Sequence, residues 1–183
     1  MHCDVMFLNR QPYLVSITHP VGICQSACLP SVSAAAIRPA IRQMFGTLKA
    51  KGIEVVRFTS DNEKGIASLC QDLGGMDVMV ITVGPGQHDH IIERMIRHLK
   101  DTIRTTMASL PFLVPDIMMP YIVIGCTRKL LLFPTSTRTD QISPFEVYYG
   151  RKAHAKHDVG LPFGTYCQVP NRQMTNGMEA RTI

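Results

Sequence analysis

Three carboxylates stand where they could serve chemistry on a phosphodiester. Asp4 lies in a first apolar run, Asp61 at the carboxyl end of a later one, and Glu93 at the start of a long amphipathic segment. In open sheets flanked by helices, ligand sites lie at strand ends, so these acids can converge at one edge. Clustered carboxylates repel one another unless a cation neutralises them. Hard oxygen ligands with room left for water and phosphate favour Mg²⁺ or Mn²⁺. Two such ions would activate a water or a 3′-hydroxyl and steady the leaving oxygen. The same residues also read as three unrelated members of a set of 14 Asp and Glu, and spacing alone does not choose.

The segment carrying Glu93 adds a second feature. At about 100° per residue, Glu93, Arg97, Lys100 and Arg104 fall close to one line, and Arg94 follows the acid directly. Ile92, Ile96, Leu99, Ile103 and Leu110 take an adjacent face that would be buried. A metal ligand followed by cations along one stripe suits a track of phosphate contacts. A solvated face, with a Glu93–Arg97 pair supporting the helix by a few tenths of a kcal/mol, fits the pattern equally. Before it runs Gly84-Pro85-Gly86-Gln87-His88-Asp89-His90. It lacks the Lys-Ser/Thr of a phosphate-binding loop. It reads as a loop beside the site that closes over substrate, with Gly84, Gly86, Gln87, His88 and His90 as its functional positions. Two imidazoles without a third ligand make a poor zinc site.

These residues need a scaffold to hold them. Val5 to Leu8 and Tyr13 to Ile17 read as strands joined through Asn9-Arg10-Gln11-Pro12, and a third run follows Gly22 to Leu29. Ser31 or Ser33 can cap a helix from about Ala34 to Ala50, its first turns made doubtful by Pro39. Ile53 to Phe58 alternates like a strand, Thr59 to Asn62 ends it and caps a short helix through Leu73, and Asp77 to Val83 reads as another strand. The long helix spans about Ile91 to Leu110, and a further one about Met118 to Leu132. Strands alternating with helices imply an α/β protein with a mixed sheet. We divide the chain into a core over residues 1–133 and an extension over 134–183 whose tail is loose from about 170.

Composition agrees. The chain has 183 residues, 45% hydrophobic and 18% charged, which suits a domain with a real core rather than a disordered chain. Its net charge of +5 sits in the second half, where residues 91–183 carry 12 basic and 7 acidic side chains, and a polyanion is the natural partner. The six cysteines, at 3, 24, 28, 70, 126 and 167, show no paired spacing and read as reduced thiols of an intracellular protein. Cys24 and Cys28 read as core positions of one strand face. Prolines and Asp116 interrupt the most apolar stretch, Met107 to Cys126, so no membrane anchor is expected.

The set Asp4, Thr59-Ser60-Asp61-Asn62 and Ile92-Glu93-Arg94 resembles the acidic triad of the DDE integrase core of retroviruses and retrotransposons. Downstream, Ile142-Ser143-Pro144-Phe145-Glu146-Val147-Tyr148-Tyr149-Gly150-Arg151-Lys152 and Leu161-Pro162-Phe163-Gly164-Thr165-Tyr166-Cys167 resemble the segment after the catalytic helix in copia-type elements. The resemblance runs in order from about residue 1 to 169. It implies an RNase H-like fold, a five-stranded mixed sheet with helices on both faces. It also implies a pair of divalent ions on Asp4, Asp61 and Glu93, and DNA held by Arg97 and Lys100, to which the basic face of the helix adds Arg94 and Arg104 as candidates. The reaction implied is 3′-end processing and DNA strand transfer, in the nucleus or a retroelement particle. No small-molecule cofactor is implied, and a homodimer is, since integrase cores usually pair.

Three departures bear on that reading. The interval between Asp61 and Glu93 is shorter than is usual in the family, Glu63 replaces the familiar glycine, and few residues precede Asp4. The chain also looks like an isolated core without the flanking domains of a complete integrase. These features motivate a second expectation, a decayed or domesticated RNase H-like module that binds nucleic acid or protein without catalysis. A nuclease for RNA–DNA hybrids shares the same fold and ions.

Overall fold

A computed structural model describes residues 1–61, 78–83, 89–135 and 138–165, with Asp61 described by its backbone alone. Five strands form one sheet in the order β3-β2-β1-β4-β5: β1 His2–Leu8, β2 Gln11–Ile17, β3 Cys24–Cys28, β4 Arg57–Asp61 and β5 Met79–Val83. The first three strands are antiparallel neighbours, whereas β4 and β5 run parallel to β1. β1 is therefore central, with an antiparallel ladder on one edge and a parallel one on the other. The hairpin between β1 and β2 closes on Asn9 and Arg10, both at positive φ (48° and 66°). Such a two-residue turn matches the twist of the strands it joins. It leaves Gln11 and Pro12 in β2, inside the strand rather than in the connection.

The other boundaries follow from partners. Ile53 to Val56 alternates like a strand, but Ile53 N–H donates to the Leu48 carbonyl of α1 (3.0 Å), and the segment meets β5 at its end, where the Val56 carbonyl accepts from Met79 N–H (2.9 Å); Val56 is 72% exposed. Pairing begins only at Arg57, where Thr59 N–H donates to the Met1 carbonyl (2.8 Å), so the strand is displaced and ends on Asp61. Helix α1 spans Ala34–Lys49, capped by Ser33 Oγ, which accepts from Ala36 N–H at 3.4 Å. Pro39 sits inside it. Ala35, the residue whose carbonyl loses its partner, is exposed, so water can take that place.

Consecutive residues of β3 show that helices cover both faces. Gln25 donates to Thr47 Oγ1 of α1, while Ser26 Oγ meets Thr127 Oγ1 at 2.8 Å on the far side. Thr127 belongs to α3, Met119–Leu130, which packs beside α2, His90–Ala108. α1 buries Ile37, Ile41, Met44, Phe45 and Leu48, with the Phe45 ring 5.9 Å from that of Phe58 on β4. On the other face, α2 buries Ile92, Ile96, Leu99 and Ile103 against β1 and β2. Each such side chain contributes about 1.5–3 kcal/mol when taken from water.

Residues 143–150 add a compact fourth helix, α4 Pro144–Tyr149. Ser143 and Glu146 cap each other's backbone N–H groups, and Gly150 at φ 67° ends it. Phe145 N–H donates to the Leu131 carbonyl (2.9 Å) and its ring is 7% exposed within the main core. Lys51, just past α1, lies 5.4 Å from the centroids of both Tyr148 and Tyr149. Cys24 is buried as the strand pattern implies, but Cys28 ends β3 and is exposed. Among the described residues no helix is long and apolar enough to cross a membrane.

Candidate active site

Asp4 is the third residue of β1 and is held on both sides. It pairs with Val15 of β2, and its own Oδ1 accepts from Val5 N–H at 2.7 Å. It is half-buried, so water and solutes reach it. On the parallel edge, His2 stands opposite Thr59 and Cys3 opposite Ser60. One further step in that register brings Asp4 level with Asp61, the last residue of β4. The two acids, far apart in sequence, thus occupy neighbouring positions on adjacent central strands.

The third acid arrives through a contact that the sequence did not disclose. Asp89 is the N-cap of α2, its Oδ1 accepting from Ile91 N–H at 3.1 Å. Its other oxygen, Oδ2, accepts a hydrogen bond of 2.6 Å from His2 Nδ1. With Asp89 as a carboxylate, Nδ1 is the donor of this bond. The side chains of His2 and Asp89 are 18% and 7% exposed. Because side chains alternate along a strand, His2 and Asp4 share a sheet face. The first turn of α2 is thereby fastened to the face that carries Asp4. Glu93 is one turn beyond Asp89; its side chain is 41% exposed, with His90 Nδ1 3.7 Å from Oε2.

Asp4 and Glu93 are each accessible to solvent, and the backbone of Asp61 follows the strand register next to Asp4. Among the described residues no group of three or more His, Cys, Asp or Glu is arranged to hold a metal ion. Gly84, Gly86, Gln87 and His88 lie outside the described residues, as does the short helix expected through Leu73. The cations divide by position. Arg97 and Arg104 are exposed and Lys100 half-buried along one side of α2, and Arg104 pairs with Asp101 at 2.8 Å. Arg94, about 100° round the helix from Glu93, opens instead onto a cavity between α2, the β2–β3 turn and the end of α3.

In sequence Asp89 is one residue of a polar loop, and nothing near His2 gives that residue a role. A weak signal was present, since an Asp just ahead of an amphipathic run is a strong N-cap. Nothing local could pair it with a residue 87 positions away.

No protein-family model matches the sequence, and no curated protein is similar to it. The structure is similar to the crystal structure of the catalytic core domain of BIV integrase, with a TM-score of 0.57. That likeness covers 81% of this chain and 92% of the other at 18% identity. It shows the fold. The chain has an RNase H-like α/β fold, a mixed five-stranded sheet with helices on both faces.

Proposed function

We propose that this chain is the catalytic core of a divalent-metal-dependent polynucleotidyl transferase acting on DNA ends. The observation that supports the reading is a backbone arrangement: continuing the β1–β4 register puts the Asp61 position level with Asp4, and the His2–Asp89 contact fastens the start of α2, which carries Glu93, to β1. The copia-like strings at residues 142–152 and 161–167 support a retrotransposon origin, with action in the nucleus or the element's own particle.

The donor set suits Mg²⁺ or Mn²⁺, because carboxylate oxygens that remain open to solvent leave positions for water and phosphate. Asp4, Asp61 and Glu93 would hold a pair of such ions, which supply charge neutralisation at the reacting phosphate and a water or 3′-hydroxyl of lowered pKa. The remaining work falls to the chain's own residues. Asp4 is pinned in the middle of a strand and so keeps a fixed position. Asp89 and His2 set the angle at which Glu93 enters. Arg97 and Lys100 extend along α2 from Glu93 and would hold backbone phosphates, with Arg94 and Arg104 at the margins.

The test is disintegration of a branched DNA substrate in Mg²⁺ or Mn²⁺. Asp61→Asn should abolish the activity with circular dichroism and melting unchanged, and calorimetric Mg²⁺ binding should be lost in Asp4→Ala. Full activity in Asp61→Asn removes the mechanism. DNA binding without metal binding or turnover would make this a non-catalytic nucleic-acid module.

A further inference from the structure

The cavity onto which Arg94 opens has a volume of about 430 Å³, within the range of small-ligand sites. Its walls are apolar, formed by Pro20, Ile91, Met95, Leu130 and Phe133. Its basic and imidazole groups are His19, His90, Arg94 and His98, with the hydroxyls of Thr18 and Thr135 beside them, and among the described residues no carboxylate lines it. Such a cleft attracts an anion that also carries a flat apolar body. Phe133 is 68% exposed, a large aromatic surface kept in water beside the opening. His19 also reaches towards the active site, its ring centroid 6.3 Å from that of His2, which holds Asp89. Glu93 and Arg94 are adjacent in sequence, so the cavity mouth and the candidate acid Glu93 lie at the same end of α2.

We propose that this cavity takes an unstacked base of the DNA strand, one nucleotide from the reacting phosphate, with the base on Phe133 and its phosphate beside Arg94. The inference rests on the DNA-transferase reading and adds to it a base subsite. Aromatic side chains hold bases of single strands by stacking irrespective of sequence, and guanidinium groups add to that attraction. A cleft that reads one splayed base would favour frayed or tailed ends over continuous duplex.

The chain has no tryptophan, so Phe133→Trp introduces a single reporter. Tyr121→Trp, on an exposed position of α3, serves as the control (67% exposed). The probe is a fluorescein-labelled duplex with an unpaired two-nucleotide tail, added to the full chain without divalent ions. We expect binding by anisotropy to be matched by saturable quenching in Phe133→Trp and not in Tyr121→Trp. Replacing the tail bases by abasic sites should cut that quenching at least about fivefold. Phe133→Ala should weaken binding of the tailed duplex by about 10-fold or more, with Phe133→Tyr close to the parent. Binding with no quenching, or equal quenching by the abasic tail, overturns the base subsite and leaves the transferase reading standing. No binding of the duplex at all overturns both.

Discussion

Removing the carboxylate of Asp89 should loosen the attachment of α2 to the sheet. Asp89 does two things: it caps the helix through Ile91 N–H, and it receives the hydrogen bond of His2 at 2.6 Å. Loss of an N-cap of this type costs about 0.5–2 kcal/mol. Loss of a largely buried hydrogen bond to a charged group costs about 1.5–3 kcal/mol, part of it from leaving the His2 N–H unpaired. The two share one side chain, so they overlap, and Asp89→Ala should cost about 2–4 kcal/mol. In a chain of this length that lowers Tm by roughly 5–12 °C. Asp89→Asn keeps a good cap through its one carbonyl oxygen but sets an amide N–H₂ where Oδ2 faced His2, so it should cost less than Asp89→Ala, about 1–2 kcal/mol. Urea denaturation of the parent, both Asp89 variants, His2→Ala and the His2→Ala/Asp89→Ala double variant measures this directly. The cycle should give a coupling of about 1 kcal/mol or more. Equal stability of the Ala and Asn variants, or a coupling within experimental scatter, refutes the idea that this contact fixes the entry of α2.

Other expectations concern the scaffold. The hydroxyl of Tyr13 is buried without a hydrogen-bond partner among the described residues, and burial pushes its pKa up to about 12. Tyr13→Phe should therefore be neutral or stabilising by up to about 1 kcal/mol in chemical denaturation, and a clear loss would reveal a partner for the oxygen. Phe145 is buried within the main core, so Phe145→Ala should cost about 3–5 kcal/mol; a cost below 1 kcal/mol would mark residues beyond 133 as a dispensable extension. The Arg138 guanidinium, hydrogen-bonded to Asp140, holds that carboxyl down at about 2. Because the folded-state pKa is depressed, the pair's contribution is present above the unfolded carboxylate value of about 3.9 and is lost as pH falls through about 2. A ¹³C carboxyl titration should find that low midpoint in the parent and a return towards the ordinary range in Arg138→Ala.

Much of this architecture is written in local patterns. The Ser33 cap and the spacing of Ile37, Ile41, Met44 and Leu48 define α1, and the interval from Ile92 to Ile103 defines α2, because a 3.6-residue repeat has one compact solution against a sheet. Chain order likewise identifies the three acids and the stripe of cations as features worth locating. What local pattern cannot express is a partner. Ile53 to Val56 alternates as well as any strand here, yet the ladder starts at Arg57, since a strand exists only where a neighbour's N–H and C=O groups meet it. Pro12 enters β2 for a related reason: the Asn9–Arg10 turn sets the register.

The sequence by itself therefore determined the elements, the candidate acids and the basic face of α2, all of which rest on interactions a few residues long. Tertiary structure alone decided that Asp4 stands level with Asp61, that His2 fastens Asp89, that α4 joins the core, and that Arg94 turns away from Glu93 to a separate cavity. Those outcomes depend on strand register and helix docking, whose energies come from groups distant along the chain and are settled only when the whole core closes.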